Sequence, residues 1–524
     1  MSTSALHIRL FSLLAMLATA AGATHSLAAE SEWVHPGPNG KLVYKTTPSG
    51  DRIMDFSFAG YMGGGVALPS VPVKQTVKPS GGEDDTAMIQ TAIDAVSAMP
   101  PENGFRGAVL LASGMFPCSR TITISASGVV LRGSGNQGAA RSTIKMRGRP
   151  HLAIAVRAPG GRREDQTDGF SAAQTVIADA YVPSGSLSFT VVDITGFAVG
   201  DTIAIRRPVT QTWIKFMQMD DLVRDGRPQT WIRAGTATTT ERRIAAIKDK
   251  TITLDVPLSD SFDARYLNPP GTAVVKMRAP LRVSQVGIED LHIESPPQAI
   301  PHTQPHFTAL RITGENCWAR DVLIEETMNS VAVGGRHITL QRVTVNRKAL
   351  HQGSSRPAEF APNASDVLLD RCSSTADNVW YVATGGGQAG PIVLLNCTFN
   401  GNGRAESHQR WSTGTLYDNC QVPGGGIELR NRGAMGSGHG WSMGWGVVWN
   451  CTAKDYIVQN PPGAVNWLIG SIGQNKLAPR PFGSRANLPE GIIDSHGVPV
   501  TPRSLYLSQL AQRLGPQAVK NIGY

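Results

Sequence analysis

Long apolar runs are missing from this sequence. The stretch Leu10–Ala21 is too short to cross a bilayer comfortably, and no later stretch is long enough, so no helical membrane span is expected. Dense Lys/Arg runs and zinc-finger spacings are absent, which argues against nucleic acid as a partner. No two cysteines form a CxxC pair, which leaves a zinc site without its usual ligand spacing. Aromatic residues make up only 6%, whereas 56 glycines and 34 prolines are present; this balance favours turns and short strands over long helices.

What is present begins with an export signal. Arg9 supplies a weakly positive start, Leu10–Ala21 is a short apolar run, and Ala21-Gly22-Ala23 and Ser26-Leu27-Ala28 offer small-residue cleavage sites. Residues 1–28 therefore read as a signal peptide, and the mature chain is expected to be secreted or periplasmic. The net charge of +9 is compatible with an acidic ligand such as a uronate polymer.

An internal repeat decides the fold class. Seven segments share two alternating apolar positions, a polar pair, and two more alternating apolar positions. They are Val286–Ile288 with Leu291–Ile293, Cys317–Ala319 with Val322–Ile324, Ile338–Leu340 with Val343–Val345, Val367–Leu369 with Cys372–Ser374, Ile392–Leu394 with Cys397–Phe399, Thr415–Tyr417 with Cys420–Val422, and Gly446–Val448 with Cys451–Ala453. The residues after the polar pairs recur at intervals of 31, 21, 29, 25, 23 and 31. Each interval is one coil of a solenoid, with loops of variable length between strands. Period-two alternation points the flanking apolar residues inward and makes the polar pair a corner. The expected architecture is all-β, a parallel β-helix, and parallel coils wind right-handed. Asn396, Asn419 and Asn450 should then stack at one corner and bond from coil to coil. Cys372, Cys397, Cys420 and Cys451 fall in one inward column about 4.8 Å apart. They read as buried free thiols, because identical stacked positions offer poor disulfide geometry.

A solenoid needs caps. Asp84-Asp85-Thr86, followed by Met88, Ile89, Ala92, Ile93 and Val96, reads as an N-capped amphipathic helix. Gly107–Leu111 then leads to Gly128–Gly135, a strand and tight turn, and Ser504–Leu514 reads as a short helix that would cover the last coil. The segments "DDTAMIQTAIDA" and "GVVLRGSG", with the coil pattern, resemble the pectate-lyase-like superfamily of right-handed parallel β-helices over residues 81–473. That superfamily contains lyases, hydrolases, epimerases and phage tailspikes, so the resemblance implies a fold and leaves the chemistry open. The chain divides into a signal peptide (1–28), an N-terminal extension (29–80), a cap with the first coils (81–185), a β-rich insertion (186–277), the main coils (278–473) and a tail with a capping helix (474–524). The insertion carries "FAVGDTIAIRRP" and "ERRIAAIKDKTITLDVPL", with Trp213, Lys215, Asp220, Asp221 and Trp231 between them. It is either a structural elaboration or a flap walling one side of a substrate groove.

Two neighbouring coils point to chemistry. His408 lies twelve residues before Cys420, and His439 twelve before Cys451; Arg410 and Trp441 share the position ten before. The two histidines should stack with Arg410, Trp411 and Trp441 beside them. Arg430 and Arg432 lie on the connection, and His351 and Arg356 are on an earlier loop that extends the same face. This set suits a polyuronate lyase, which removes the proton next to the uronate carboxyl and expels the oxygen across the ring. Cations stabilise the charge that develops, Arg binds a carboxylate bidentately, and His is a suitable base. The superfamily resemblance implies Arg or Lys as base, frequently with calcium, so Arg410 and His408 compete for the role. Trp411 and Trp441 would stack on sugar faces. A hydrolase would need two carboxylates across a groove, with Glu359, Asp377 and Asp418 as candidates. The sequence has no clustered Asp set like that of the family hydrolases and no obvious acidic calcium cluster. The leading expectation is an exported polysaccharide lyase that cleaves an acidic glycan by β-elimination. The alternatives are a glycoside hydrolase or epimerase on the same scaffold, or a non-catalytic carbohydrate-binding β-helix; the oligomeric state is left open.

Overall fold

The structure, a computed structural model, describes residues 29–160, 170–278 and 281–524; the signal peptide expected at residues 1–28 lies outside the described residues. The corners of the repeat explain how the chain coils. Asp290, Asp321, Arg342, Arg371, Asn396, Asn419 and Asn450, the second residue of each polar pair, all adopt φ between 49° and 55°. One left-handed residue turns the chain sharply between two strands, and Asn and Asp tolerate that conformation better than other non-glycine residues. The result is a right-handed parallel β-helix built around a 28-stranded sheet.

Each coil visits three parallel ladders. Sheet A contains Leu152–Val156, Thr308–Glu315, the first halves of Val331–Gln341 and Ala358–Asp370, then Trp380–Thr384, Arg404–Ser407 and the latter parts of Gln421–Leu429 and Thr452–Val458. Sheet B, before the corner, includes Val129–Gly133, Gly287–Glu289, Trp318–Arg320, Ala389–Leu395, Ser412–Asp418, Val447–Trp449, Trp467–Ile469 and Ile492–Asp494. Sheet C, after the corner, includes Ser142–Met146, His292–Glu294, Leu323–Glu325, Thr344–Asn346, Ser373–Thr375 and Thr398–Asn400. The ladder is longer than the repeat alone indicates, running from Val73–Val77 to Ile492–Asp494.

The interior is a continuous apolar column. All six cysteines are free and buried. The thiols of Cys372, Cys397, Cys420 and Cys451 donate to the carbonyls of Leu340, Leu369, Leu394 and Tyr417 at 3.2, 3.4, 3.3 and 3.3 Å, so each is satisfied by the preceding coil. The helix Thr86–Ser97 caps the N-terminal end by burying Ile89, Ile93 and Val96 against the first coils. Asp84, rather than Asp85, accepts from the Thr86 N–H.

Sheet B is apolar on its outer face too, as strands buried on both sides are. Leu368, Val393, Leu395, Leu416, Val447 and Trp449 form a second core with Val34, Ile53 and Phe56 of the N-terminal extension and Leu505, Tyr506 and Leu510 of the helix Leu505–Leu514. That helix therefore lies along the flank and does not cover the last coil. Its apolar face matches sheet B, and its N-cap Ser504 donates to Asp418. The Asn corner also differs from expectation. Asn419 donates to Asn396, but Asn450 bonds to both the N–H and the carbonyl of Val500 in the C-terminal segment.

The insertion is an antiparallel sheet ordered Phe170–Val176, Ala273–Met277, Thr202–Pro208, Ala237–Lys248, Thr251–Leu254, Ser188–Thr190. It starts at Phe170, earlier than residue 186, because its first and last strands pair with each other while Leu152–Val156 pairs directly with Thr308–Glu315. It packs mainly on sheet B. Buried Arg242 donates to the carbonyls of Val256, Pro257 and Gly390, and Ser259 bonds to Thr413 at 2.8 Å. No helix among the described residues is long and apolar enough to cross a membrane.

Candidate functional site

The outer face of sheet A is built differently. Along one column, cross-strand neighbours run Ala155, Arg311, Ala332, Ala361, Ala383, Glu406, Glu428 and Ile457. Alanines occupy the rungs on either side of Arg311 and on up to Ala383, and two glutamates then follow on adjacent rungs with backbones about 4.8 Å apart. Both are largely covered, Glu406 at 1% exposure and Glu428 at 7%. Flanking columns add Arg404 and Asp455 on one side, and His408 and Arg430 on the other.

The two carboxyl groups have different surroundings. Glu406 Oε1 lies 2.5 Å from His408 Nδ1 and 3.0 Å from Arg432 Nη1, and Arg432 Nη1 is itself 2.7 Å from His408 Nδ1. Arg432 Nη1 also donates to the His408 carbonyl at 2.7 Å, so one guanidinium ties the carboxyl, the ring and the backbone of this rung together. Burial pushes Glu406 up to about 7 against the opposing pull of Arg432, Arg430, Arg356 and Arg404. Burial, reinforced by the Arg432 cation, pushes His408 down to about 3, leaving a neutral imidazole. Glu406 Oε2 is buried with no hydrogen-bond partner. Glu428, by contrast, is ion-paired. Its Oε1 accepts from Arg404 Nε and Nη2 at 2.7 and 2.6 Å, and Arg430 Nη1 lies 3.6 Å from Oε2. Arg404 also pairs with Asp455 at 2.6 Å, and Asp455 with Lys476 at 2.9 Å. On the rung before Arg404, the ring of Trp380 has the guanidinium groups of Arg356 (5.0 Å) and Arg432 (4.9 Å) against it and makes an edge contact with His408. Two walls meet there, one from the loop before Ala358–Asp370 and one from the loop after Gln421–Leu429.

Several residues singled out in the sequence converge here. The rings of His408 and His439 are 4.8 Å apart, and burial with Arg432 also drives His439 down to about 3. Arg410 is on the rim, donating from Nη2 to the Ser437 carbonyl and hydroxyl at 3.0 and 2.6 Å. His351 is buried on the Arg356 loop, 3.5 Å from Asn378.

Others are elsewhere. Trp411 and Trp441 do not face the groove. They are 3% and 2% exposed beneath the insertion, where Trp411 Nε1 donates to Asp260 at 2.9 Å and Trp441 Nε1 to the Met217 carbonyl at 3.1 Å. Trp213 and Trp231 of the insertion complete that packing. Asp418 is neither in the groove nor at a solvated turn, because its Oδ2 accepts from Ser504 Oγ and the Tyr506 N–H under the C-terminal helix. Glu359 is buried with Arg347 and Ser330, and Asp377 is exposed on a loop where it accepts from the Asn402 N–H.

Glu406, Glu428, Arg404 and Trp380 were missed in the sequence. A signal for the glutamates did exist. Glu406-Ser-His408 and Glu428-Leu-Arg430 share a spacing, nine residues after Cys397 and eight after Cys420.

Calcium does not fit this site. Glu406, Glu428 and Asp455 each already face a guanidinium, and among the described residues no group of three or more His, Cys, Asp or Glu side chains is placed to hold a metal ion.

No family model matches the chain, and no curated protein matches it by sequence. Solved structures do. The chain is similar to the tailspike protein gp49 from Pseudomonas phage LKA1, at 14% identity over 75% of this chain and 69% of that chain, with a TM-score of 0.40. It is similar to a tailspike protein of E. coli bacteriophage HK620, at 9% identity over 87% and 69%, with a TM-score of 0.38. It is also similar to the catalytic unit of a GH87 α-1,3-glucanase from Streptomyces thermodiastaticus, at 10% identity over 82% and 70%, with a TM-score of 0.30.

Proposed function

We propose that this protein is a polysaccharide-cleaving enzyme that hydrolyses glycosidic bonds at the Glu406–Glu428 pair. One observation carries the reading: two glutamates are stacked on adjacent rungs, one buried without a partner for Oε2 and pushed up to about 7, the other paired with Arg404. Carboxyl groups whose environments push them apart divide the work of glycoside cleavage between acid and nucleophile or base. Glu406 protonates the departing glycosidic oxygen. Glu428 stabilises or attacks the positive sugar carbon, or activates the water that does so. Arg432 then stabilises the Glu406 carboxylate left behind, and His408 Nδ1 orients the carboxyl for its next proton. A polymer substrate is favoured by the track of small side chains that leads to the pair. An extracellular polymer also agrees with the export expected from residues 1–28.

One observation favours β-elimination on an acidic glycan as a second reading. Arg356 lies beside Trp380, and its guanidinium can bind a uronate carboxylate. Arg404 and Arg432, by contrast, are paired with the protein's own acids.

Incubation with a broad panel of polysaccharides separates the readings. Hydrolysis yields new reducing ends without ultraviolet absorbance, and both Glu406→Gln and Glu428→Gln lose activity with the fold intact. Unsaturated, ultraviolet-absorbing ends would overturn hydrolysis in favour of the lyase. Binding without any cleavage would leave only a carbohydrate-binding protein.

A further inference from the structure

The ladder is asymmetric about the glutamates. Toward the N-terminal end, sheet A continues past Ala383, Ala361, Ala332 and Arg311 to Ala155, roughly 24 Å at about 4.8 Å per rung, with small outward side chains at most of these rungs. Toward the C-terminal end it continues for only two rungs, at Ile457 and then at Gln474 and Asn475, which pair with Asp455 and Tyr456, and then stops. That last rung ends at Lys476, whose N–H donates to the Tyr456 carbonyl at 2.9 Å, and the chain returns at Gly491, whose N–H donates to the Val458 carbonyl at 2.8 Å. The chain between them leaves the ladder.

That excursion is braced as a wall. Gln459 pairs with Glu490 and donates from Nε2 to the Ala478 carbonyl at 2.8 Å. Arg480 grips Asp221 of the insertion with both guanidinium arms, at 2.7 and 2.8 Å. The Ala434 N–H reaches the Pro481 carbonyl at 3.4 Å, and Arg224 stacks on Phe482 at 4.8 Å while its Nη1 donates to the Gly436 carbonyl at 3.4 Å. Three segments far apart in sequence are thus laced together at the end of the face nearest Glu428. The wall begins two rungs beyond that residue, roughly 10 Å along the axis.

We infer that the groove is open toward the N-terminal rungs and closed at the C-terminal end, so that it takes a glycan by one terminus and releases short products of fixed size. This rests on the proposed glycan-cleaving site and adds its mode of attack. The long open track holds the remaining polymer, and the short closed side holds the piece to be released.

The test has two arms. In a digestion time course on a susceptible polymer, a product of one to three sugars should appear first and dominate throughout, with viscosity falling slowly relative to reducing ends. An early ladder of many lengths would overturn the inference while leaving cleavage intact. In the second arm, oligosaccharides carrying a bulky fluorophore at one terminus or the other are bound to Glu406→Gln, with Glu428→Gln as a second inactive variant. A label on one terminus should weaken binding at least tenfold and a label on the other should not. Equal affinities would overturn the inference. If nothing is cleaved, hydrolysis falls and the binding arm still decides this point on the native protein; if no oligosaccharide binds, both fall.

Discussion

Sheets A and B share every coil of this solenoid, yet their outer faces have opposite fates. Sheet B presents Leu368, Val393, Leu395, Leu416, Val447 and Trp449, and the chain covers them with its N-terminal extension, insertion and C-terminal helix. Sheet A presents alanines and then Glu406, Glu428, Arg404 and His408, and over these the protein keeps two loop walls rather than a packed layer. The strand backbone is the same in both. The outward side chains decide which face becomes a second core and which becomes a site, because apolar surface is driven to burial while buried charge must find partners.

Glu406→Gln should produce the largest separation between the two faces. Removing a general acid costs on the order of 10²- to 10⁴-fold in turnover, while the amide leaves the packing of either sheet unchanged. The pH profile checks the same point. With Glu406 pushed up to about 7, it is the acid form that works, so activity should fall as pH rises through about 7. That limb should vanish in any residual activity of the variant. Stability follows the same sign. The folded carboxyl binds its proton more tightly than the unfolded one, whose ordinary value is 4.5, so its contribution is favourable at low pH and declines as pH rises from about 4.5 to about 7. A profile unchanged between wild type and variant would remove Glu406 from the chemistry.

Trp411→Ala should do the reverse. Truncating this buried ring, which fills the space between sheet B and Trp213 and Trp231 of the insertion, should cost about 3–5 kcal/mol. It should lower the thermal midpoint and loosen the insertion to proteolysis. Protein that remains folded should keep its affinity for short oligosaccharides. Selective loss of sugar binding at an unchanged midpoint would return Trp411 to the groove.

The coils were legible because their constraints are local and repeat by position. The left-handed corner recurs from Asp290 to Asn450, and the inward column from Cys372 to Cys451 follows from the same register. The outer faces were not, since an outward residue takes its role from whatever covers it. Trp411 and Trp441 read as sugar platforms until Trp213 and Trp231 arrive from a distant stretch of chain. The glutamates were hidden by loop length. Counting back from the cysteines matches His408 with His439, whereas the strand register matches Glu406 with Glu428. The rings of the two histidines meet anyway because the connection after Gln421–Leu429 is long enough to fold back over the earlier coil.

Asp418 sharpens the comparison with a smaller effect. It carries the same perturbation as Glu406, with burial pushing it up to about 7, but it lies beneath the C-terminal helix on the sheet B side. Asp418→Ala leaves Ser504 Oγ and the Tyr506 N–H without their acceptor, which should cost about 1–3 kcal/mol. Denaturant unfolding should report that loss, with the alkaline limb of activity unmoved. A shift of the limb in Asp418→Ala would mean that the two faces are coupled through the core.

Asn419→Ala tests the corner itself and should have the least effect. Asn419 holds its left-handed turn while donating to Asn396, and Asn396 donates in turn to the Tyr524 hydroxyl at 2.8 Å. Removing the amide loses one hydrogen bond, about 0.5–1.5 kcal/mol, and places at φ 55° a residue less suited to that conformation. Asn419→Gly separates the two contributions, since glycine loses the same bond but accepts the turn without strain. If the corner is held mainly by its conformation, glycine should recover part of the alanine loss in the unfolding midpoint. If both variants are equally destabilised, the hydrogen bond between coils carries the corner, and stacking rather than turning is what asparagine supplies there.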